Sequence, residues 1–191
     1  MEQSRKSGWI EVICGPMFAG KSEEVIRRVK RLEYAKKNAL VFKPKIDNRY
    51  SDSEIVSHSK LKTKSINIVK ARDVLEYVDD KTDAVVIDEV QFLDDEIIQV
   101  IDELANRGIR VIVAGLDLDF KGEPFSNMPK ILAMAEDITK LTAICVKCGA
   151  PATRTQRIVN GKPAKKSDPI VIVGASECYE PRCRHCHEIL D

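Results

Sequence analysis

The sequence predicts an α/β fold with a mostly parallel sheet, and two features of the chain support this. Apolar runs typical of buried strands recur at Ile10–Cys14, Leu40–Phe42, Ala84–Ile87 and Val111–Leu116. Helical patterns lie between these runs, and the runs are mostly apolar rather than alternating. Strands that alternate with helices and are apolar on both faces favour a parallel sheet covered by helices on both sides.

Two segments between the strands carry the clearest helical periodicity. Ser22–Asn38 is amphipathic, with one apolar face formed by Val25, Ile26, Val29, Leu32 and Ala35. Asp94–Arg107 has acidic residues in its first turn, and Gly108 follows its last residue. Acids near a helix N-terminus and glycine after its C-terminus agree with the helix dipole and with a glycine C-cap. Both segments are therefore predicted as helices.

Length and charge narrow the class of protein. A chain of 191 residues is long enough for one α/β domain and a small appendage. Its 31 basic and 30 acidic residues nearly cancel, giving a formal charge of +1, which argues against binding along a nucleic-acid backbone. No apolar run approaches the length of a signal core or a membrane span. We expect a cytoplasmic protein without a membrane partner.

A phosphate-binding motif follows the first predicted strand. The spacing G-x-x-x-x-G-K-[ST] is matched by Gly15, Pro16, Met17, Phe18, Ala19, Gly20, Lys21 and Ser22. A glycine-rich turn between a strand and a helix points backbone N–H groups and the helix N-terminus at one anion. Lys21 is placed to reach the outer phosphates, and Ser22 can bind Mg²⁺. The motif predicts a site for a nucleoside triphosphate such as ATP.

A second nucleotide signature lies at the end of the strand Ala84–Ile87. Asp88 and Glu89 follow this aliphatic run directly. In a P-loop fold an acid at this position faces the Mg²⁺ held by the loop, so Asp88 is the predicted metal partner. Glu89 is placed to accept a proton from the attacking nucleophile. If that nucleophile is water the protein is an ATPase, and if it is a substrate hydroxyl the protein is a kinase.

Four of the six cysteines form two C-x-x-C pairs, which are Cys145, Cys148, Cys183 and Cys186. Two such turns complete a closed four-sulfur Zn²⁺ site of the structural kind. The segment between the pairs is longer than in an ordinary zinc ribbon. We therefore expect this segment to be folded, with its two ends held together by the metal. His185 and His187 are alternative ligands, and four unmetallated thiols are the alternative to a metal site.

The pattern of the chain changes near Ile138, and the remaining segment is predicted to be β-rich. A polar loop rich in turn residues, Asn160–Pro169, interrupts it. We predict an α/β nucleotide-binding domain at residues 8–139 and a small zinc-binding subdomain with a lasso-like lid at residues 140–191. A second polar stretch, Asp47–Ser65, is predicted to order around ligand.

A series of motifs in fixed order extends from Ile10 to Cys186. Besides the phosphate loop and the cysteine pairs it comprises Asp47-Asn48-Arg49-Tyr50, Asp88-Glu89-Val90-Gln91-Phe92, Leu116-Asp117-Leu118-Asp119-Phe120, Pro124-Phe125, Lys140-Leu141-Thr142-Ala143, Val173-Gly174 and Tyr179. In these motifs the chain resembles the type II thymidine kinases, the zinc-containing family that includes the cytosolic human enzyme. The resemblance implies a RecA-like P-loop core.

The resemblance also implies an activity and a set of site residues. The activity is transfer of the ATP γ-phosphate to the 5′-hydroxyl of thymidine, with Glu89 as the general base. Gln91 is expected with Asp88 in the nucleotide site, and Arg49 near the phosphates. The implied walls of the nucleoside pocket are Met17, Phe92, Leu116, Phe120, Phe125 and Tyr179. The implied lasso, which binds thymine edges through its backbone, contains Ile172, Val173 and Gly174.

Three further properties follow at this stage. The family implies a homotetramer and feedback inhibition by thymidine triphosphate (dTTP). An apolar pocket distinguishes the methyl group of thymine by only about 1–3 kcal/mol, so we expect deoxyuridine to be accepted as well.

Two rival functions share some of these features. A zinc-bearing ATPase of the recombinase type, working on nucleic acid, also has a P-loop, a strand-end acid pair and cysteine knuckles. Basic residues at Arg27–Arg31, Lys36–Lys37 and Lys162–Lys166 would serve it. However, Glu23, Glu24 and Glu33 share the helix that contains the first of these runs. A nucleotide-binding regulator without catalysis is the third hypothesis, which Glu89 and a closable lid disfavour.

Overall fold

The computed structural model describes residues 8–45, 54–56, 62–170 and 177–191. A six-stranded sheet forms its centre. The strands of this sheet are β1 (Trp9–Cys14), β2 (Ala39–Pro44), β5 (Ile66–Ile68), β6 (Ala84–Ile87), β7 (Arg110–Gly115) and β8 (Asp137–Lys140). The helices that connect them are α1 (Lys21–Tyr34), α2 (Asp73–Tyr77), α3 (Ile97–Asn106) and α4 (Met128–Met134). A separate hairpin is formed by β3 (Glu54–Val56) and β4 (Lys62–Lys64).

The strand order in the large sheet is β5-β2-β6-β7-β1-β8, and every neighbouring pair is parallel. The carboxyl ends of all six strands therefore meet at one edge. Strand β7 lies between β1, which leads into the phosphate loop, and β6, which ends at the acid pair. The predicted α/β fold with a parallel sheet is confirmed.

Helices cover both faces of this sheet. On one face α1 packs through Val25, Ile26, Val29 and Leu32 against inward residues of four strands. On the other face α2, α3 and α4 pack against the alternate residues of the same strands. Buried apolar side chains on both faces explain why the central strands are mostly apolar rather than alternating.

The C-terminal part of the chain forms two small antiparallel sheets. The first pairs β9 (Ala143–Ile144) with β10 (Pro151–Ala152). The second places β11 (Arg154–Val159) between β12 (Lys162–Pro163) and β13 (Glu177–Arg182). A small core of Ala143, Cys145, Ala152 and Cys183 joins the first sheet to the cysteine turns.

The observed elements differ from the predicted ones in four places. Helix α1 ends at Tyr34 rather than Asn38, and α3 begins at Ile97 rather than Asp94. Strand β8 belongs to the large sheet, because its backbone pairs with β1 over Glu11–Cys14. The segment predicted as a loop at Asn160–Pro169 contains β12, which turns back on β11. Of the helices in the described part of the chain, none combines the length and apolar character needed to cross a bilayer.

Candidate functional site

The phosphate loop connects β1 to α1 at the carboxyl edge of the sheet. Gly15 has φ 144°, and a Cβ atom at this position would lie 2.4 Å from the backbone oxygen of Leu141. Only glycine fits there, since both the backbone angle and the contact exclude a side chain. Gly20 precedes α1 with φ 84°, in the left-handed region. The loop thus opens directly onto a helix N-terminus, the arrangement that binds anions.

Lys21 is the first residue of α1 and points back into the loop. Its side chain is buried, with 8% of the residue exposed, and Nζ donates a hydrogen bond to the backbone oxygen of Pro16 at 2.8 Å. Burial lowers the pKa of this ammonium, while the charges of Glu89, Asp88 and Asp117 act in the opposite direction. Three carboxylates therefore lie within electrostatic range of the one buried cation of the loop. Ser22 follows it in the first turn of α1, half-buried.

Asp88 lies at the end of β6 and is only 3% exposed. Its backbone N–H donates to Phe42 O at 3.0 Å, and its Oδ1 accepts from the backbone N–H of Glu89 at 3.0 Å. Burial, and next the charge of Glu89, raise the pKa of Asp88 to about 7. Nearby positive charge does not offset the burial of this carboxylate. Such a group fits a divalent cation, whose charge would restore the ionised form.

Glu89 is turned away from the strand by its backbone. It has φ 54° and ψ 37°, which is uncommon for a residue other than glycine, and it leads into a short 3₁₀ turn at Val90–Phe92. Its Oε2 accepts a hydrogen bond of 2.5 Å from Nε2 of Gln91. Gln91 is buried, and its Oε1 accepts from the backbone N–H of Leu116 at 3.2 Å. Gln91 therefore ties the acid to the end of β7.

The residues predicted to wall a nucleoside pocket lie in two groups. Phe92 and Phe125 contact edge to face, with ring centroids 5.6 Å apart. Phe120 and Tyr179 are linked by the guanidinium of Arg157, which lies 4.0 Å from the centroid of Phe120 and donates from Nε to the Tyr179 hydroxyl at 3.0 Å. Leu116, half-buried, follows β7 next to the Gln91 contact, and Met17 is half-buried in the phosphate loop.

Strand β11 connects these groups to the loop, which the sequence alone did not predict. The backbone N–H of Met17 donates to Oγ1 of Thr155 at 3.0 Å. Arg157, two residues along the same face, is 1% exposed and also donates to the backbone oxygens of Pro169 and Ile170. The sequence predicted that this segment is β-rich, but it did not show which face of β11 would be buried.

Four residues of the predicted site lie outside the described part of the chain. They are Arg49, Ile172, Val173 and Gly174. Their roles stay predictions. Pro169 and Ile170, which precede the predicted lasso, are the nearest described residues on its N-terminal side.

The two cysteine pairs meet in space. Their four Sγ atoms all lie within 4.8 Å of one another, and Cys148 Sγ is 3.6 Å from Cys183 Sγ. A tetrahedral zinc–thiolate site with bonds of about 2.3 Å separates its sulfurs by roughly 3.8 Å, so the spacing fits Zn²⁺. Burial opposes ionisation of Cys145, but backbone N–H groups outweigh it and lower the pKa of this thiol to about 6.

The histidines near the second pair are placed differently. His187 Nε2 forms a hydrogen bond of 2.8 Å with the backbone oxygen of Phe120. His185 is exposed, and in the described part of the chain the potential metal cluster consists of the four cysteines without either histidine. Four sulfurs are thus the donor set that could bind zinc. Cys14 is buried at the end of β1, and Cys178 is exposed on β13.

Comparison with known proteins gives a family and a set of similar solved structures. The solved structure of the Legionella pneumophila ATPase DotB is similar over 69% of this chain, with 16% sequence identity and a TM-score of 0.40. The present chain spans 35% of that chain. The family model described as thymidine kinase matches residues 8–187, nearly the whole sequence. The chain belongs to the thymidine kinase family.

Proposed function

We propose that this protein transfers the γ-phosphate of ATP to the 5′-hydroxyl of thymidine, giving thymidine monophosphate and ADP. Membership of the thymidine kinase family implies a kinase that uses ATP and thymidine. The residue assignment rests on one observation. Glu89 lies at the carboxyl edge of the sheet, within electrostatic range of Lys21. With Glu89 as proton acceptor and Lys21 as phosphate-binding cation, both groups would act at one end of the sheet.

The donor side of the reaction is assigned to the phosphate loop. Its backbone N–H groups and the N-terminus of α1 would bind the phosphates, and Lys21 would exchange its contact with Pro16 O for a phosphate oxygen. Asp88 and Ser22 are the residues that would hold Mg²⁺. When bound, Mg²⁺ neutralises phosphate charge and orients the γ-phosphate.

The acceptor side is assigned to Glu89. Its carboxylate takes the proton of the 5′-hydroxyl while the hydroxyl oxygen bonds to the γ-phosphorus and the bond to the β,γ-bridging oxygen breaks. Gln91 is a positioning residue in this scheme. Its amide holds one oxygen of Glu89, so the second oxygen is available to the hydroxyl.

The thymidine pocket is assigned to Met17, Phe92, Leu116, Phe120, Phe125 and Tyr179. Flat aromatic side chains with few polar groups suit a pyrimidine ring. The lasso residues Ile172, Val173 and Gly174 would complete the pocket through their backbone, and Arg49 would lie near the phosphates. A closing lid excludes water, which would otherwise compete with thymidine for the γ-phosphate.

The cysteine cluster and the surrounding strands support the division of the chain proposed from its sequence. Residues 8–139 would form the nucleotide-binding domain, and residues 140–191 the zinc-binding subdomain that carries the lid. Zn²⁺ held by four thiolates leaves no position for a substrate, so its role would be structural. The contacts of Thr155 and Arg157 join this subdomain to the phosphate loop and to Phe120.

Inhibition by dTTP and a homotetramer follow from the resemblance to the type II enzymes. Use of deoxyuridine follows from the apolar character of the pocket, and a cytoplasmic location from the composition of the sequence. No nucleic-acid partner is proposed, because the formal charge of the chain is +1.

ATP consumption by the purified protein tests the proposal. The assay compares thymidine, deoxycytidine and no nucleoside, and it identifies the product. Turnover only with thymidine, yielding its 5′-monophosphate, is the expected result. Turnover without nucleoside that is stimulated by DNA or RNA would instead establish a nucleic-acid ATPase.

A further inference from the structure

Asp117 lies at the carboxyl edge of the sheet, next to its central strands. The assignments above give this residue no role. It is the second residue after the end of β7, directly after Leu116. Strand β7 lies between β1 and β6. Asp117 is therefore positioned between the root of the phosphate loop and the Asp88–Glu89 pair. Although it is charged, only 5% of the residue is exposed.

The two carboxylate oxygens of Asp117 have different surroundings. Oδ2 accepts from Nζ of Lys140 in an ion pair of 2.8 Å. Oδ1 is buried, and no residue in the described part of the chain donates to it. A buried acceptor without a donor is unfavourable, so this oxygen calls for a donor that a ligand or a water supplies.

The ion pair with Lys140 spans the root of the phosphate loop. Lys140 is the last residue of β8 and is paired with Cys14 at the end of β1, while Asp117 follows β7 on the opposite side of β1. Burial first, and then the charge of Asp117, raise the pKa of the Cys14 thiol to about 11, whereas Lys140 and Lys21 act to lower it. All three charged side chains thus lie around Cys14, where the loop begins.

Few donors can reach Oδ1 in a loaded nucleotide site. Ionised phosphate oxygens carry no proton to donate, and their charge repels Asp117. Lys21 already donates to Pro16 O and would turn to the phosphates. Magnesium keeps several of its waters when it binds to proteins, and each such water is a strong donor.

We propose that Asp117 is a positioning residue for the metal–nucleotide complex, with Oδ1 accepting a hydrogen bond from a water that Mg²⁺ would carry. This inference rests on the proposed use of ATP. It assigns the second residue after β7 to the outer coordination of the cation for which Asp88 and Ser22 are the proposed direct ligands.

Nucleotide affinity with and without Mg²⁺ tests this role without requiring turnover. The dissociation constant of a non-hydrolysable ATP analogue is measured by calorimetry in Mg²⁺ and in EDTA. In Asp117→Asn the charge is lost and the shape is kept. We expect weaker binding in Mg²⁺ and equal or tighter binding in EDTA, so that the gain in affinity from Mg²⁺ falls by about tenfold.

Lys140→Gln is the matched control, because it breaks the same ion pair and leaves the carboxylate. The affinity gain from Mg²⁺ is expected to stay at least as large as in the wild type. The proposal is overturned if Asp117→Asn weakens binding equally in Mg²⁺ and in EDTA, if it leaves the gain unchanged, or if Lys140→Gln reduces the gain.

If Asp117→Asn does not fold, Lys140→Gln still tests the proposal. An affinity gain from Mg²⁺ that is smaller in this variant than in the wild type would overturn it. A wild-type protein that binds no nucleotide would contradict the proposed function. Failure of the present inference looks different, because the wild type would then bind nucleotide and only the variants would depart from expectation.

Discussion

Gln91 donates a hydrogen bond of 2.5 Å to Glu89, and the same side chain accepts from the backbone N–H of Leu116. The end of β6 is thereby joined to the end of β7 through a single buried amide. A Cβ atom at Gly115 would lie 2.5 Å from Oε1 of Gln91, so the strand leaves space for this contact. The position of the proposed base therefore depends on two strands that are neighbours in the sheet and distant in sequence.

Replacement of Glu89 tests its role as the base. Glu89→Gln should lower the turnover number for thymidine by about 10²-fold or more, because the amide cannot accept the hydroxyl proton. Binding of ATP, measured by calorimetry, should stay close to the wild-type value. Glu123→Gln, an exposed acid in the loop after β7, is the control and should keep full turnover. Near-normal turnover in Glu89→Gln would remove this residue as the base.

Arg157 is predicted to affect thymidine rather than ATP. Arg157→Lys keeps a positive charge but loses the planar fork that contacts Phe120, Tyr179 and the backbone at Pro169 and Ile170. We expect KM for thymidine to rise by about tenfold, with little change in KM for ATP. Arg154→Lys, on the other face of β11, serves as the control. Equal effects on both KM values would show a general loss of structure instead.

The cysteine cluster predicts one bound zinc ion per chain. Cys148→Ser should remove the metal and lower the melting temperature, since zinc contributes on the order of 10 kcal/mol to folding in small metal domains. Zinc content by elemental analysis and thermal unfolding are the two measurements. Cys178→Ser changes an exposed cysteine outside the cluster and should retain the metal. Unchanged zinc in Cys148→Ser would exclude the four-sulfur site.

Acid should weaken the ion pairs that Glu24 forms within α1. Hydrogen bonds from Arg27 and Arg28 lower the pKa of Glu24 to about 2, from an ordinary value of 4.5. A lowered carboxylate pKa gives stability that is present above pH 4.5 and is lost as the pH falls towards 2. Chemical denaturation of Glu24→Gln should show about 1 kcal/mol less stability at pH 7 and a weaker loss below pH 4.5. An acid loss as steep as in the wild type would assign the effect to other groups.

Glu11 anchors the same helix from within β1. Its carboxylate is buried and accepts from Trp9, Arg28 and Arg110. Burial acts to raise its pKa, but these donors prevail and the pKa is lowered. Glu11→Gln should cost about 3 kcal/mol in the free energy of unfolding at pH 7, because two arginines lose their buried partner. Glu33→Gln, at an exposed position on α1, should leave stability within about 0.5 kcal/mol.

Nucleoside choice follows from the chemistry of the proposed pocket. Loss of the thymine methyl group should reduce kcat/KM by about 10-fold to 200-fold, so deoxyuridine should remain a substrate. Deoxycytidine presents a donor where thymine presents an acceptor, and it should be rejected more strongly. Parallel kcat/KM measurements with the three nucleosides decide this. Equal rejection of deoxyuridine and deoxycytidine would contradict a pocket that reads the methyl group by apolar contact alone.

The sequence by itself determined those features that depend on neighbouring residues. The motif from Gly15 to Ser22 indicated the phosphate loop because the spacing of its glycines and of Lys21 and Ser22 determines the shape of the loop. Asp88 and Glu89 were recognisable at a strand end because the run before them is uniformly apolar. The two C-x-x-C turns indicated a metal site because each turn brings together the sulfurs of two cysteines only three positions apart.

Only the tertiary structure decided which of these local features meet and what joins them. Met17 contacts Thr155 across 138 positions of sequence, and Arg157 lies between Phe120 and Tyr179. The unpartnered oxygen of Asp117 likewise depends on the order of strands in the sheet. Such contacts depend on strand order and on which face of a strand is buried. Local periodicity indicates that a strand forms, but it carries no information about its distant neighbours, so these relationships required the folded chain.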